Sequence, residues 1–228
     1  MTDLQTPLGQ VVADNPATAR TFDRLGLDYC CHGRRSLASA CADAGLDPAA
    51  VAAELDALPT GGDRSWMGLD PVALADHIVE EHHRYLSEEL PLLDALSEKV
   101  LSVHGVNHPE LADVRALVAA IRADLEPHLL KEERVLFPAI AALAAGPRRF
   151  PFGPLANPVG MMLAEHERAG DLLAALRGAT AGYAVPDDAC ASYRSLYQRL
   201  EELEADTHLH IHKENEVLFR AALRLTEG

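Results

Sequence analysis

At 228 residues the chain has room for one sizeable core plus a small satellite domain. Its composition, 48% hydrophobic but only 5% aromatic, favours helices over sheets. A net charge of −15 argues against nucleic acid or an anionic membrane as the main partner, and no apolar run reaches the roughly 18 residues needed to span a bilayer.

The opening stretch, MTDLQTPLGQ, carries neither the basic region nor the apolar run of a secretory signal, so a cytoplasmic, reducing location is expected. Four cysteines in a chain this long do not make a disulfide scaffold. Residues 1–58 read as several short helices. In DNPATARTFDRLG, Asn15 is a cap, Pro16 the first helical position and Gly26 the stop. Asp47 and Pro48 repeat that logic in LDPAAVAAELDAL, and between them LDYCCHGRRSLASAC starts as a loop and enters a helix near Ser36. A turn-rich linker occupies 59–69, opening with PTGGDRS.

Beyond it the pattern predicts four long helices, over 71–103, 109–145, 157–178 and 187–225, in an antiparallel four-helix bundle spanning 70–228. Three- and four-residue steps give each helix an inner face. In the second it runs Leu117, Ile121, Leu125, His128, Glu132, Val135, Ala139; in the fourth, Leu196, Leu200, Leu203, His210, Glu214, Val217, Ala221. In the third it includes Val159, Met162, His166, Ala169, Leu173 and Leu176.

These faces contain a repeat. HLLKEERVLF begins at His128 and HIHKENEVLF at His210, 82 residues later, and each is preceded by an aspartate four positions upstream, Asp124 and Asp206. A His and a Glu four apart share one helix face. Two buried carboxylates at equivalent depth need a compensating charge, which a pair of metal cations supplies. The remaining helices add one inward histidine each. His166 is unambiguous; in the first helix His83 is preferred to His82, because its face collects Val79, Leu86, Leu90 and Leu93. The repeat agrees, since His83 precedes His128 by 45 residues and His166 precedes His210 by 44. Four imidazoles and two carboxylates suit iron, manganese or zinc.

Asp124 and Asp206 are either acceptors that orient imidazoles or solvated residues. Lys131 and Lys213 are expected to face solvent, as are His208 and His212, two positions either side of His210. Cys41 and Cys190 read as small buried hydrophobes.

Together these motifs resemble the hemerythrin-like four-helix-bundle proteins, and more narrowly the iron–sulfur cluster repair di-iron proteins, the RIC family. HHRYLSEELP, HLLKEERVLFP, AEHERAG and HIHKENEVLF carry the bundle part of the likeness, and LGQVVADNPATARTFDRLGLDYCCHGRRSLASAC the N-terminal part. The resemblance implies an all-α fold with a small helical N-terminal domain. It implies two non-haem iron ions held by His83, His128, Glu132, His166, His210 and Glu214, with the glutamates bridging. It places the family's paired cysteines on Cys30 and Cys31, with redox or iron-handover roles, and departs from the family pattern at His32, where Gly is expected. The implied job is repair of clusters damaged by nitric oxide or oxidants, by supplying iron or with reduction of nitric oxide. The implied partners are proteins with damaged clusters, and nitric oxide or oxygen at the iron site; a homodimer through the N-terminal module is open. Two other readings compete: a hemerythrin-like protein that binds or senses oxygen or nitric oxide, and a metal-free helical interaction module.

Overall fold

In the computed structural model, residues 2–59 and 64–226 are described. The N-terminal part holds four short helices, α1 (Leu8–Asp14), α2 (Ala19–Leu25), α3 (Leu37–Asp43) and α4 (Pro48–Ala57). Their ends obey local chemistry. The Ser36 hydroxyl accepts from Ser39 N–H ahead of α3, and Asp47 accepts from Ala49 N–H ahead of α4. Gly26 ends α2 with φ 67°, a left-handed turn that suits a residue without Cβ.

The bundle comes next. Its first helix joins α5 (Pro71–Ile78), capped by Asp70, to α6 (Arg84–His104) through a π-helical turn, Val79–His83. The second joins α7 (Leu111–Lys131) to α8 (Phe137–Ala144) through the π turn Glu132–Leu136. The third, α9 (Ala156–Ala179), is uninterrupted. The fourth joins α10 (Ala191–His212) to α11 (Phe219–Arg224) through the π turn Lys213–Leu218. Helix α6 packs against α7 and α10, and α7 against α9.

The π turns correct the inner faces expected from a strict α-helical rhythm. Each adds a residue to one turn and rotates the rest of the helix about its axis. Past Glu132 the buried residues are Leu136, Phe137, Ala139 and Ile140, so Ala139 is inside as expected while Val135 is 44% exposed. Past Glu214 they are Leu218, Phe219 and Ala222, with Val217 and Ala221 only partly buried. The apolar interior is consequently divided. One cluster holds Leu86, Leu90, Ile121, Leu125, Leu173 and Leu200, the other Ile78, Leu136, Ile140, Val159 and Leu218. The polar repeat lies between them.

The expected linker includes residues 60–63, which lie outside the described residues. Within its remainder Trp66 is buried, 6.2 Å from the His212 ring. His212 itself is buried, contrary to its expected surface position, because the N-terminal part covers it: the Tyr29 ring lies 5.7 Å away. His208, also expected at the surface, is hydrogen-bonded through Nδ1 to Asp23 Oδ1 at 2.8 Å. These two histidines make the floor on which the N-terminal helices sit.

The fourth helix begins at Ala191, later than expected, and Cys190 before it is exposed rather than buried. Its Sγ lies 3.2 Å from His104 Nε2. The Tyr193 backbone N–H and the His104 imidazole hold the thiol down to about 7. Cys41 is buried, as expected, and burial raises its thiol. Iodoacetamide should therefore label Cys190 far faster than Cys41, with a rate midpoint near pH 7 that moves upward in His104→Ala. Mass spectrometry of the labelled peptides checks both.

Candidate metal centre

The four bundle helices bring the six residues of the repeat and its matching histidines into one buried layer. Glu132 and Glu214 are fully buried, and His83, His128, His166 and His210 are at most 2% exposed. They fall into two groups able to hold a metal ion: His83 and His210 with both glutamates, and His128 and His166 with the same two glutamates. Each carboxylate belongs to both groups.

The spacings test whether a cation fits. Metal–nitrogen and metal–oxygen bonds of about 2.1 Å put neighbouring donors roughly 3.0 to 3.4 Å apart. Here His128 Nε2 and His166 Nε2 are 3.0 Å apart. His166 Nε2 lies 3.2 Å from Glu214 Oε2 and His210 Nε2 3.3 Å from the same atom. Glu132 Oε2 is 3.4 Å from both His83 Nε2 and His128 Nε2.

The outer nitrogens strengthen the case. His83 Nδ1 meets Glu133 Oε1 at 2.9 Å, His128 Nδ1 meets Glu165 Oε2 at 2.8 Å, and His166 Nδ1 meets Asn215 Oδ1 at 2.8 Å. Contacts at Nδ1 leave Nε2 facing inward, and an imidazole that donates through Nδ1 when neutral presents its Nε2 lone pair there, as a metal ligand does. Both oxygens of Glu132 and of Glu214 lack a hydrogen-bond partner, as do both ring nitrogens of His210. Buried acceptors aimed at other acceptors are costly without a cation between them.

The electrostatics divide the four histidines. Burial holds His128 and His210 down to about 4, whereas at His83 and His166 burial is outweighed by the adjoining Glu132 and Glu214, which raise the imidazole. Burial and the Glu214 charge push Glu132 well above the usual carboxylate range. Burial also works against Glu214, but His210 and His166 outweigh it and hold that carboxyl low. Without metal, the pair therefore shares its charge unevenly.

The repeat extends to packing. Phe137 and Phe219, the last residues of its two copies, stack on His83 and His166 with centroids 5.6 and 6.0 Å apart. Three orienting partners, Glu133, Glu165 and Asn215, escaped the sequence reading. A usable signal exists, since each is the immediate neighbour of Glu132, His166 or Glu214 and reaches across to another helix. The two aspartates considered for that task lie elsewhere. Asp124 Oδ1 accepts from Arg168 Nε at 2.6 Å, and Asp206 Oδ1 meets His82 Nδ1 at 2.8 Å.

Lys131 and Lys213 differ despite their matching places. Lys131 Nζ, partly exposed, donates to Glu165 Oε1 at 2.5 Å and so braces the partner of His128. Lys213 corrects the expectation outright, being 1% exposed. Its Nζ lies 2.9 Å from His77 Nε2, 2.8 Å from His82 Nε2 and 5.6 Å from the Trp66 ring centroid. A buried ammonium is tolerated because imidazoles accept its protons and an aromatic face covers it. That bond also turns His82 away from the carboxylates, which leaves His83 to meet them.

Cys30 and Cys31 stand at the edge of this layer. Cys31 Sγ is 3.4 Å from His166 O, and Asn215 Nδ2 donates to Cys30 O at 3.0 Å. Their sulfurs are 3.8 Å apart and unbonded. His32 has no positive φ, so the replacement of Gly brings no backbone strain; its Nδ1 is 2.5 Å from Asp28 Oδ2.

Comparison with known proteins agrees with this geometry. The hemerythrin HHE cation binding domain matches residues 74–222, and ScdA_N, a domain of unknown function, matches residues 4–59. The iron-sulfur cluster repair protein ScdA of Staphylococcus haemolyticus is 32% identical over 214 residues, covering 93% of this chain and 95% of that protein. The iron-sulfur cluster repair proteins YtfE of Cronobacter sakazakii and Escherichia coli are 32% and 31% identical over 218 residues, covering 95% of this chain and 96% of theirs. No helix among the described residues is long and apolar enough to cross a membrane. An all-α bundle with a shared His/Glu layer, joined to a helical paired-cysteine segment, places the chain in the hemerythrin HHE family, among the iron–sulfur cluster repair proteins.

Proposed function

We propose that the chain is a di-iron protein that repairs iron–sulfur clusters damaged by nitric oxide or oxidants, by supplying iron. A helical paired-cysteine module spans 1–58, a linker 59–69 and the di-iron bundle 70–228. His83, His128, His166 and His210 would hold the irons, with Glu132 and Glu214 between them. One observation carries this: two buried carboxylates, each belonging to two four-residue groups, have no hydrogen-bond partner for any of their oxygens. Bound there, iron would supply one-electron redox chemistry and open positions for small diatomic molecules.

The protein's own side chains set the conditions. Glu133, Glu165 and Asn215 fix three imidazoles in the tautomer that turns Nε2 inward. Phe137, Phe219 and the two apolar clusters keep water from the layer. Donors are nitrogen and oxygen rather than thiolate, so iron leaves more readily than from a thiolate cage. Cys30 and Cys31 lie where departing iron, as cargo, would pass. The client proteins and the gas, nitric oxide or oxygen, are met in the cytoplasm.

The test joins metal analysis to a repair assay. Purified chain should carry two irons, one for each residue group, and restore activity to a nitrosylated or peroxide-damaged iron–sulfur dehydratase. His83→Ala should lower the iron content by about half and abolish repair, while His82→Ala should keep the iron. Reversible oxygen binding without any recovery of the dehydratase would favour the binding-protein reading. Metal well below stoichiometry would remove both.

A further inference from the structure

A second cluster of metal-ligating side chains lies outside the bundle layer. A carboxylate oxygen of Asp28, Cys30 Sγ and Cys31 Sγ lie within 4.8 Å of one another. Their edges are specific. Metal–sulfur bonds of about 2.3 Å in a tetrahedral site put two sulfurs about 3.8 Å apart, and a sulfur and a carboxylate oxygen about 3.6 Å apart. The two cysteine sulfurs are 3.8 Å apart, and Cys30 Sγ is 3.3 Å from Asp28 Oδ1.

Adjacent cysteines rarely present both sulfurs to one point, and here the loop forces them to. Asp28 Oδ1 accepts from the backbone N–H groups of Cys30 at 3.0 Å and of Cys31 at 2.8 Å, which fixes the turn. At Gly33 a Cβ would sit 2.3 Å from Tyr29 O, so this close return of the chain requires glycine. At Gly170 on α9 a Cβ would sit 3.5 Å from Cys31 Sγ, ordinary contact, so the sulfur rests directly on the helix that carries His166. The His32 imidazole holds the outer oxygen of Asp28, as a histidine–carboxylate pair behind a metal ligand does.

A cavity of about 370 Å³ opens on the group, lined also by Glu167, Asp171 and His208. Arg177, which lines it too, is engaged by both oxygens of Glu204, at 3.0 and 2.5 Å. The cavity thus offers acidic side chains to an arriving cation and leaves space for a further donor.

We infer that Asp28, Cys30 and Cys31, with His32 bracing Asp28, form a separate site for a single thiophilic divalent cation, through which iron is exchanged beside His166. The site rests on the repair reading for its use, and on its own geometry for its existence. Two sulfurs select for softer cations than the nitrogen and oxygen donors of the bundle. Binding replaces the thiol protons. The Asn215 amide ties the loop to His166, so the two sites are neighbours through a single side chain.

Cobalt(II) is the probe, because thiolate ligation gives it near-ultraviolet charge-transfer absorption that nitrogen and oxygen donors do not. Full-length protein with its bundle iron in place, its thiols reduced and oxygen absent, should take up one further equivalent of cobalt(II) with that absorption. Cys30→Ser/Cys31→Ser should abolish the band while bundle iron is retained, which shows that the fold survives. Asp28→Asn keeps an acceptor for the two N–H groups and should weaken cobalt binding by more than about tenfold; His32→Gly should weaken it by about tenfold. No thiolate band in the parent protein, or a band that persists in the double serine variant, overturns the site. Either result leaves the repair assay to be judged on its own, since cluster recovery is measured without cobalt.

Discussion

In protein stripped of metal by a chelator, Glu132→Gln/Glu214→Gln should be more stable than the parent chain, by roughly 1–4 kcal/mol. The two carboxyls are fully buried, none of their oxygens has a hydrogen-bond partner, and each lies 3.2 to 3.4 Å from two imidazole nitrogens. A glutamine amide keeps the volume, removes the charge and donates to those nitrogens. With iron present the order should reverse, because only the parent chain binds it; a metal at a thousand times its dissociation constant adds about 4 kcal/mol to the folded state. Above pH 4.5 the pH dependence of the metal-free difference is set by Glu132. Its folded value lies well above the unfolded 4.5, so the folded state holds the proton longer than the unfolded one. Relative to the glutamine variant, the metal-free parent therefore loses stability as pH rises above 4.5, and the gap between them widens. Urea unfolding at several pH values, with and without iron, measures all of this. A metal-free parent more stable than the variant would mean that the carboxylates are satisfied without a cation.

The histidine–glutamate pairs were legible because two independent regularities agree on them: four-residue spacing sets a shared helix face, and the 82-residue repeat puts both faces at one depth. His83 over His82 was legible from the aliphatic residues on its face. The structure adds the physical reason, the capture of His82 by Lys213 and Asp206. Local signals marked the helix starts near Ser36 and at Asp47.

The rhythm could not show the extra residue in each π turn. Val135 and Leu136 are both aliphatic, so sequence alone gives no reason to move the buried position by one; the π turn Glu132–Leu136 makes the shift. Lys213 failed for a different reason. Lysine is almost never fully buried, so residue type outweighs position until its acceptors on the first helix are known. The orienting partners of the imidazoles were hidden because each contact joins two helices. His208 and His212 were hidden because their cover, Asp23 and Tyr29, comes from the N-terminal part of the chain.

Asn215 is where those two parts meet, and its substitution should separate two effects. Its Oδ1 accepts from His166 Nδ1–H, and its Nδ2 donates to the carbonyl of Cys30. Asn215→Ala removes both bonds. Loss of an acceptor behind a metal-binding histidine typically costs about 10–100-fold in affinity, and iron retention against a competing chelator should fall by that factor. The Cys30–Cys31 loop should also loosen, raising alkylation of Cys31, the more accessible of the pair. Asn215→Asp keeps an acceptor for His166 but sets a carboxylate against the Cys30 carbonyl, so it should retain iron while still freeing the loop. The two variants thus distinguish orientation of an imidazole from attachment of the cysteine loop. Equal iron loss in both would mean that loop docking, rather than the bond to His166, maintains the bundle site. Unchanged iron and unchanged alkylation in Asn215→Ala would mean that the bridge between the two parts carries no energetic coupling.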